Sequence, residues 1–337
     1  TVELIGKVIQ LIVIILAVKF DLGFTTIVLS LLLYMFFNAV TVFWISRKFV
    51  AFSLHIDRAY WKEFLRQSLP IGIASLITFT YFKMDTILLS VMRPSAEVGI
   101  YNVAYKVTEN LIFFPAMIAG LVLPLLSRFI FTEREKFEII ANKTLKVFLV
   151  FTLPLVIGGF FLAPQIVAII GGPQFTESAD VLRVLIFSLA FIFFGYFFNT
   201  LLVVANLQKK LMVALGIAAI VNVSSNFFLI PRYSYMGAAT SSVATEMLVA
   251  ILSCSLVLRH TFYRPKIERL GSILASGIIL ALFLAFSPAL PLIVTILGGA
   301  ALYLGSLWIS RAIENDEIAS LVKESKSVPV EAASPIE

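Results

Sequence analysis

Apolar residues run along this chain in long unbroken stretches, and most of the polar residues fall between them. Ten stretches stand out, at 3–20, 24–46, 69–92, 97–127, 141–162, 179–205, 211–230, 237–258, 270–287 and 291–310. Most approach or exceed the ~20 residues a helix needs to cross a bilayer. Outer-membrane strands would instead alternate in segments of ~10 residues. The separators are turn formers: Asp21-Leu22-Gly23, Arg93-Pro94-Ser95, Gly171-Gly172-Pro173, Pro231 to Gly237, and Ser287-Pro288. The pattern predicts an all-α, polytopic helical membrane protein with about ten transmembrane helices. A polar tail follows at 313–337, expected to be disordered beyond Lys323.

Composition agrees with the pattern. The 337 residues are 60% hydrophobic and 14% charged, and the mean hydropathy is +1.00. Soluble domains average about 45–50% apolar and about 25% charged residues. The formal charge of +6 raises the question of nucleic acid, but its distribution gives another cause. Alternate connections collect sixteen basic residues: Arg47, Lys48, Arg58, Lys62, Arg66; Arg128, Arg134, Lys136, Lys143, Lys146; Lys209, Lys210; Arg259, Arg264, Lys266, Arg269. The others hold three: Lys19, Arg93 and Arg232. Basic residues stay on the cytoplasmic side, so the first set and both ends of this sequence are expected in the cytoplasm. No nucleic acid partner is needed. With one cysteine, Cys254, and two histidines, His55 and His260, neither a disulfide framework nor a metal centre is expected, and no cofactor. The sequence opens on Thr1 and enters an apolar helix without a signal peptide's charged start or cleavage site, so it reads as lacking an N-terminal part.

Two segments lie off the spans. Residues 57–69 place Tyr60, Trp61, Phe64, Leu65 and Leu69 on one helical face and Arg58, Lys62 and Arg66 mostly opposite, as an interfacial helix does. Residues 131–146 mix acidic, basic and apolar side chains on the same side. A loose internal repeat relates the first two spans to the seventh and eighth, each pair having a break that ends in glycine (Gly23, Gly237).

The chemistry sits where charge enters the spans. Intramembrane charges cost about 2.5–3.5 kcal/mol each on insertion scales and survive facing a bundle interior, water or one another. Lys83 and Asp85 interrupt the third span, and Lys106 and Glu109 the fourth. Lys83 and Asp85 are about 200° apart around a helix, so one is expected to meet a cavity and the other a neighbouring helix. Asn102, Lys106, Glu109 and Phe113 form one stripe, with Tyr101, Tyr105 and Thr108 beside it. Lys106 and Glu109 either pair within their helix, or Lys106 offers charge to an anion that Glu109 tunes or releases. Glu246, mid-span with Ser242 one turn before it, is either a hydrogen-bonded structural carboxyl or a proton or cation site. Asn199, Asn222 and Asn226 read as interhelical hydrogen bonders. Pro70, Pro115, Pro124 and Pro154 are candidate bends.

Nucleotide-binding, hydrolase and metalloprotease signatures are absent from the sequence. Together with the lack of a large polar domain, this favours a gradient-driven transporter over an enzyme. The stretches LPIGIASLITFTYFKMDTILLS (69–90) and EVGIYNVAYKVTENLIFFPAMIAGLVLPLLS (97–127), with IIGGPQFTESADVLRVLIFS (169–188) and MGAATSSVATE (236–246), resemble the polysaccharide transporter (Wzx-like) branch of the multidrug/oligosaccharidyl-lipid/polysaccharide flippases. The resemblance implies two six-helix lobes around a cavity, usually with two further helices. It places the last two helices of the first lobe at 1–46, a cytoplasmic linker at 47–68, the complete second lobe at 69–260, two added helices at 261–312 and the tail at 313–337. It also implies export of polyprenyl-diphosphate-linked saccharide units across the cytoplasmic membrane by alternating access, with glycan polymerases or glycosyltransferases as partners. Lys83 and Lys106 would then attract diphosphate, with Asp85, Asn102 and Glu109 around them. Tyr81, Tyr101 and Tyr105 would offer faces and hydroxyls to sugars, and Glu246 and Asp85 would carry the coupling ion.

Two other classes fit the same spans. A cation-coupled drug exporter of the superfamily would favour carboxylates without lysines. A non-transporting scaffold for glycan assembly would leave the intramembrane charges dispensable. The charge asymmetry makes its own prediction. In a background without Cys254, cysteine at Ser95 is expected to react with an impermeant thiol reagent on intact cells, and cysteine at Glu135 is not. Reversed labelling would invert the orientation.

Overall fold

The structure is a computed structural model, described here for residues 2–48, 58–287 and 291–312. His55, the start of the interfacial segment at Asp57, and the tail lie outside the described residues. The chain divides into two compact units, Thr1–Leu69 and Pro70–Glu337.

In the first unit α1 (Val2–Lys19) and α2 (Gly23–Ser46) pack together as a hairpin. The reversal needs two left-handed residues, Asp21 (φ 50°) and Gly23 (φ 77°), and glycine supplies the second without Cβ strain. Gly6 lets the ring of Tyr34 approach, since a Cβ there would sit 2.9 Å from it. Helix α3 (Arg58–Met92) runs for 35 residues. The expected interfacial segment and the third span are therefore one helix.

The second unit comprises α4 (Ser95–Leu111), α5 (Phe113–Phe129), α6 (Arg134–Phe161), α7 (Ala163–Ile170), a 3₁₀ turn (Pro173–Phe175), α8 (Ser178–Val204), α9 (Gln208–His260), α10 (Leu270–Phe286) and α11 (Leu292–Ile309). The expected span at 97–127 is interrupted at Ile112. Pro115, three residues on, has no N–H for the carbonyl of Leu111, so the ladder loses a rung there. Lys143 and Lys146, counted with the connection before the fifth span, lie within α6, which starts at Arg134, and Lys146 is buried.

Helix α9 is a hairpin. Ser234 takes φ 52°, ψ −132°, outside the helical region. The arms 208–233 and 235–260 fold back on each other, so that Ser225 meets Ser241 at 2.5 Å and Asn222 meets Thr245 at 3.3 Å. Gly237 is required at the reversal, because a Cβ would strike the carbonyl oxygen of Leu229. Arg93 at the end of α3 donates to the carbonyls of Ile230 (3.3 Å) and Pro231 (3.0 Å). Ser234 donates to Glu97, and Tyr235 donates to Glu177 at 2.7 Å. The reversal is thus tied to the starts of α4 and α8.

Beyond the Asp180–Arg183 ion pair at its start, helix α8 is apolar on nearly every side and forms the centre, as such helices do. Leu182, Leu185, Ile186, Leu189, Phe193, Phe197 and Leu201 are buried, and α4, α5, α6, α7 and α9 pack around it. Helices α10 and α11 attach through α6, where Gly277 admits Leu153 and the Tyr303 hydroxyl donates to the Val150 carbonyl at 3.0 Å. Six helical stretches among the described residues are long and apolar enough to cross a membrane. One of these is the α9 hairpin, each arm of which exceeds the ~20 residues of a span. The chain is an all-α, multi-pass helical membrane protein.

Candidate functional site

The site is built on α3 and α4, which are joined by side-chain hydrogen bonds between residues 82–86 and 101–109. Thr86 donates to Asn102 at 3.4 Å, and the Tyr105 hydroxyl donates to the Phe82 carbonyl at 2.8 Å. The two-residue spacing of Lys83 and Asp85 turns them to different surroundings, as helical geometry requires.

Asp85 is buried, 3% exposed. Its Oδ1 accepts from Asn222 Nδ2 at 2.9 Å and Asn226 Nδ2 at 2.6 Å. Its Oδ2 accepts from Ser242 and, at 3.4 Å, from the Tyr101 hydroxyl. The donors come from α4 and both arms of α9, so one carboxylate gathers four helical segments. An ionised carboxylate accepts only and has room for about four hydrogen bonds, and this cage matches that capacity. Asn222 and Asn226 reach it together because they are one helical turn apart. Asn226 Oδ1 is buried and has no hydrogen-bond partner among the described residues.

Lys83 lies on the other side of α3 and is about a third exposed. Its ammonium meets Glu109 Oε1 at 2.5 Å and sits 5.2 Å from the centre of the Tyr105 ring. Lys106 meets the other oxygen of Glu109 at 3.0 Å and is 63% exposed. One carboxylate therefore bridges two ammonium groups from two helices. Asn102, Lys106 and Phe113 are exposed along the same stripe, with Glu109 half-buried in it. A charged stripe facing hydrocarbon would be expensive, so this face of α4 belongs against water or protein.

The tyrosines separate. Tyr101 is fully buried, its hydroxyl in the Asp85 cage rather than on the open face. Tyr105 is half-buried and stacks on Tyr101 at 5.7 Å. The side chain of Tyr81 lies outside the described ones. Glu246 is 8% exposed. It lines a cavity of about 20 Å³ together with Asp85, Tyr105, Asn222 and Ser242, room for about one water or a small ion. It also lines a second cavity of about 310 Å³ with Tyr196, Asn199 and Thr200. Asn199 accepts from Ser253 at 2.7 Å.

Sequence reasoning omitted Asn222, Asn226 and Ser242 from the site. Their signal was present: two amides one turn apart in a span, opposite a third span with an unexplained carboxylate. It became specific only once the α9 hairpin was seen to deliver both arms to Asp85.

The architecture is that of a known fold. A solved structure titled "Lipid II flippase MurJ, inward closed conformation" superposes with a TM-score of 0.74 at 16% identity, covering 91% of this chain and 66% of that one. The class is therefore a multi-helix membrane protein of MurJ-like fold. The chain belongs to the family described as "Polysaccharide biosynthesis protein", whose model matches residues 1–180. Among curated proteins, it is 25% identical over 217 residues to the capsular polysaccharide biosynthesis protein CapF of Staphylococcus aureus, covering 62% of this chain and 54% of that protein. It is 24% identical over 241 residues to the probable flippase AglR of Haloferax volcanii, covering 68% of this chain and 50% of that protein. The chain spans about half the length of these relatives.

The two charged clusters differ in what they hold together. Replacing Asp85 by leucine strands buried donors, each costing about 1–3 kcal/mol. Asp85→Leu is therefore expected to lower the melting temperature of the detergent-solubilised full-length protein clearly. Lys106→Ala, at an exposed position, is expected to change stability by no more than about 0.5 kcal/mol. Differential scanning fluorimetry checks both.

Proposed function

We propose that the full-length protein exports lipid-linked, polyprenyl-diphosphate saccharide units across the cytoplasmic membrane by alternating access, driven by an ion gradient. The observation that carries this reading is the pair of lysines from two helices, converging on one anion on the open face of α3 and α4. A diphosphate headgroup cannot cross hydrocarbon unaided, and lysine ammonium groups bind phosphate as point charges without fixing a bidentate geometry. That suits a site which must also release. Asn102 and Tyr105 flank the lysines and supply polar and aromatic surface for the saccharide. The names of the relatives support the same substrate class: a capsular polysaccharide protein and a probable flippase, with a lipid II flippase sharing the fold.

The ion side of the reading rests on Asp85. Its small cavity also holds Glu246, Asn222 and Ser242, so two carboxyl groups and further polar side chains surround room for about one water or small ion. Asp85 and Glu246 are assigned the coupling ion, and Lys83 and Lys106 the diphosphate. Glycosyltransferases or a glycan polymerase would supply and consume the substrate.

The test is complementation of a flippase-null strain with the full-length protein, with the accumulated lipid-linked glycan analysed. The wild type is expected to restore export. Lys106→Ala is expected to insert and fold but fail, and Lys106→Arg to restore part. Lys106→Ala is also expected to weaken binding of a soluble diphosphate-sugar more than that of the uncharged sugar. Equal weakening, or full export by the alanine variant, would confine Lys106 to neutralising Glu109.

A further inference from the structure

We infer that Glu109 is a built-in counter-anion, which occupies the substrate lysines when the site is empty and is exchanged for the diphosphate on loading. The inference rests on the assignment of Lys83 and Lys106 to the headgroup. Each oxygen of the Glu109 carboxylate takes one ammonium, Lys83 from α3 at 2.5 Å and Lys106 from α4 at 3.0 Å. Two cations converging on one oxyanion is the arrangement a phosphate group would meet in the same place. The side chains remain reachable, with Glu109 30% and Lys106 63% exposed. Lys106, the more exposed partner, is the more weakly held of the two, so exchange begins on its side. Lysine is also a compact charge on a flexible stem and re-pairs readily.

The charge count sets the specificity. Two lysines and one glutamate leave one net positive charge. A neutral saccharide has nothing to exchange for, and a monoanion merely replaces one charge by another. A diphosphate brings at least two negative charges and outcompetes the carboxylate. Its own repulsion from the displaced Glu109 then raises its rate of release. The carboxylate also serves the empty transporter, because unpaired lysines within a span are costly. With Glu109 seated, the unloaded face carries a largely neutralised triad. Glu109 thus limits affinity in favour of turnover, a positioning role distinct from a purely structural clasp between α3 and α4.

Pyrophosphate binding to the full-length protein in detergent, measured by isothermal titration calorimetry, tests the exchange. Glu109→Gln is expected to tighten pyrophosphate binding about tenfold while lowering the export rate of the lipid-linked glycan. Glu109→Asp keeps the charge and is expected to tighten binding by less than Glu109→Gln. A purely structural Glu109 would weaken binding and export together. Unchanged or weaker binding in Glu109→Gln, or an order reversed between the two variants, overturns the inference. The lysine assignment fails separately: it falls if the Lys83→Ala/Lys106→Ala double variant binds pyrophosphate as well as the wild type.

Discussion

The second unit depends on one buried carboxylate. Asp85 is removed from water, yet α4 and both arms of α9 each contribute donors to it. A buried carboxyl group is tolerable only when its polar atoms are hydrogen-bonded, and here four donors converge on it. The cage depends on the reversal of α9. Ser234 and Gly237 bring the arms back so that Asn222, Asn226 and Ser242 face the same point. The Arg93 and Glu97 contacts hold that reversal against the α3–α4 turn.

From this anchor the second charged cluster follows by helical geometry. A residue two positions from Asp85 points to a different side, and Lys83 emerges toward Glu109 and Lys106. Helix α3 therefore carries one charge inward to a packed cage and another outward to an open face. The Tyr101–Tyr105 stack runs between the two sites, with the Tyr101 hydroxyl in the cage and Lys83 near the Tyr105 ring. Both charged clusters thus involve the same pair of helices, and a shift of α3 against α4 would be felt at both.

Much of the architecture was readable from the chain because membrane spans announce themselves by length and continuity. The hairpin in α9 was marked by Pro231 through Gly237, and the opposed faces of Lys83 and Asp85 by their spacing. The Lys106–Glu109 pair within α4 was also readable, being one turn apart. What periodicity cannot supply is the identity of the facing helix. Asp85 finds its amides 137 and 141 residues away, and Lys83 pairs with a glutamate on the next helix. For the same reason Tyr101 looked available to a sugar although it closes the carboxylate cage. The interruption at Ile112 was hidden because apolar residues continue through it, with Pro115 the one local sign.

We propose that α3 separates ion coupling at Asp85 from headgroup binding at Lys83. Gradient-driven movement of a fluorescent polyprenyl-diphosphate saccharide, measured in proteoliposomes of the full-length Asp85→Asn variant, tests it most directly. The amide keeps the size of the side chain and removes its charge. The account predicts that the variant still binds the diphosphate headgroup but no longer responds to an imposed ion gradient. Transport that follows the gradient as in the wild type would contradict it.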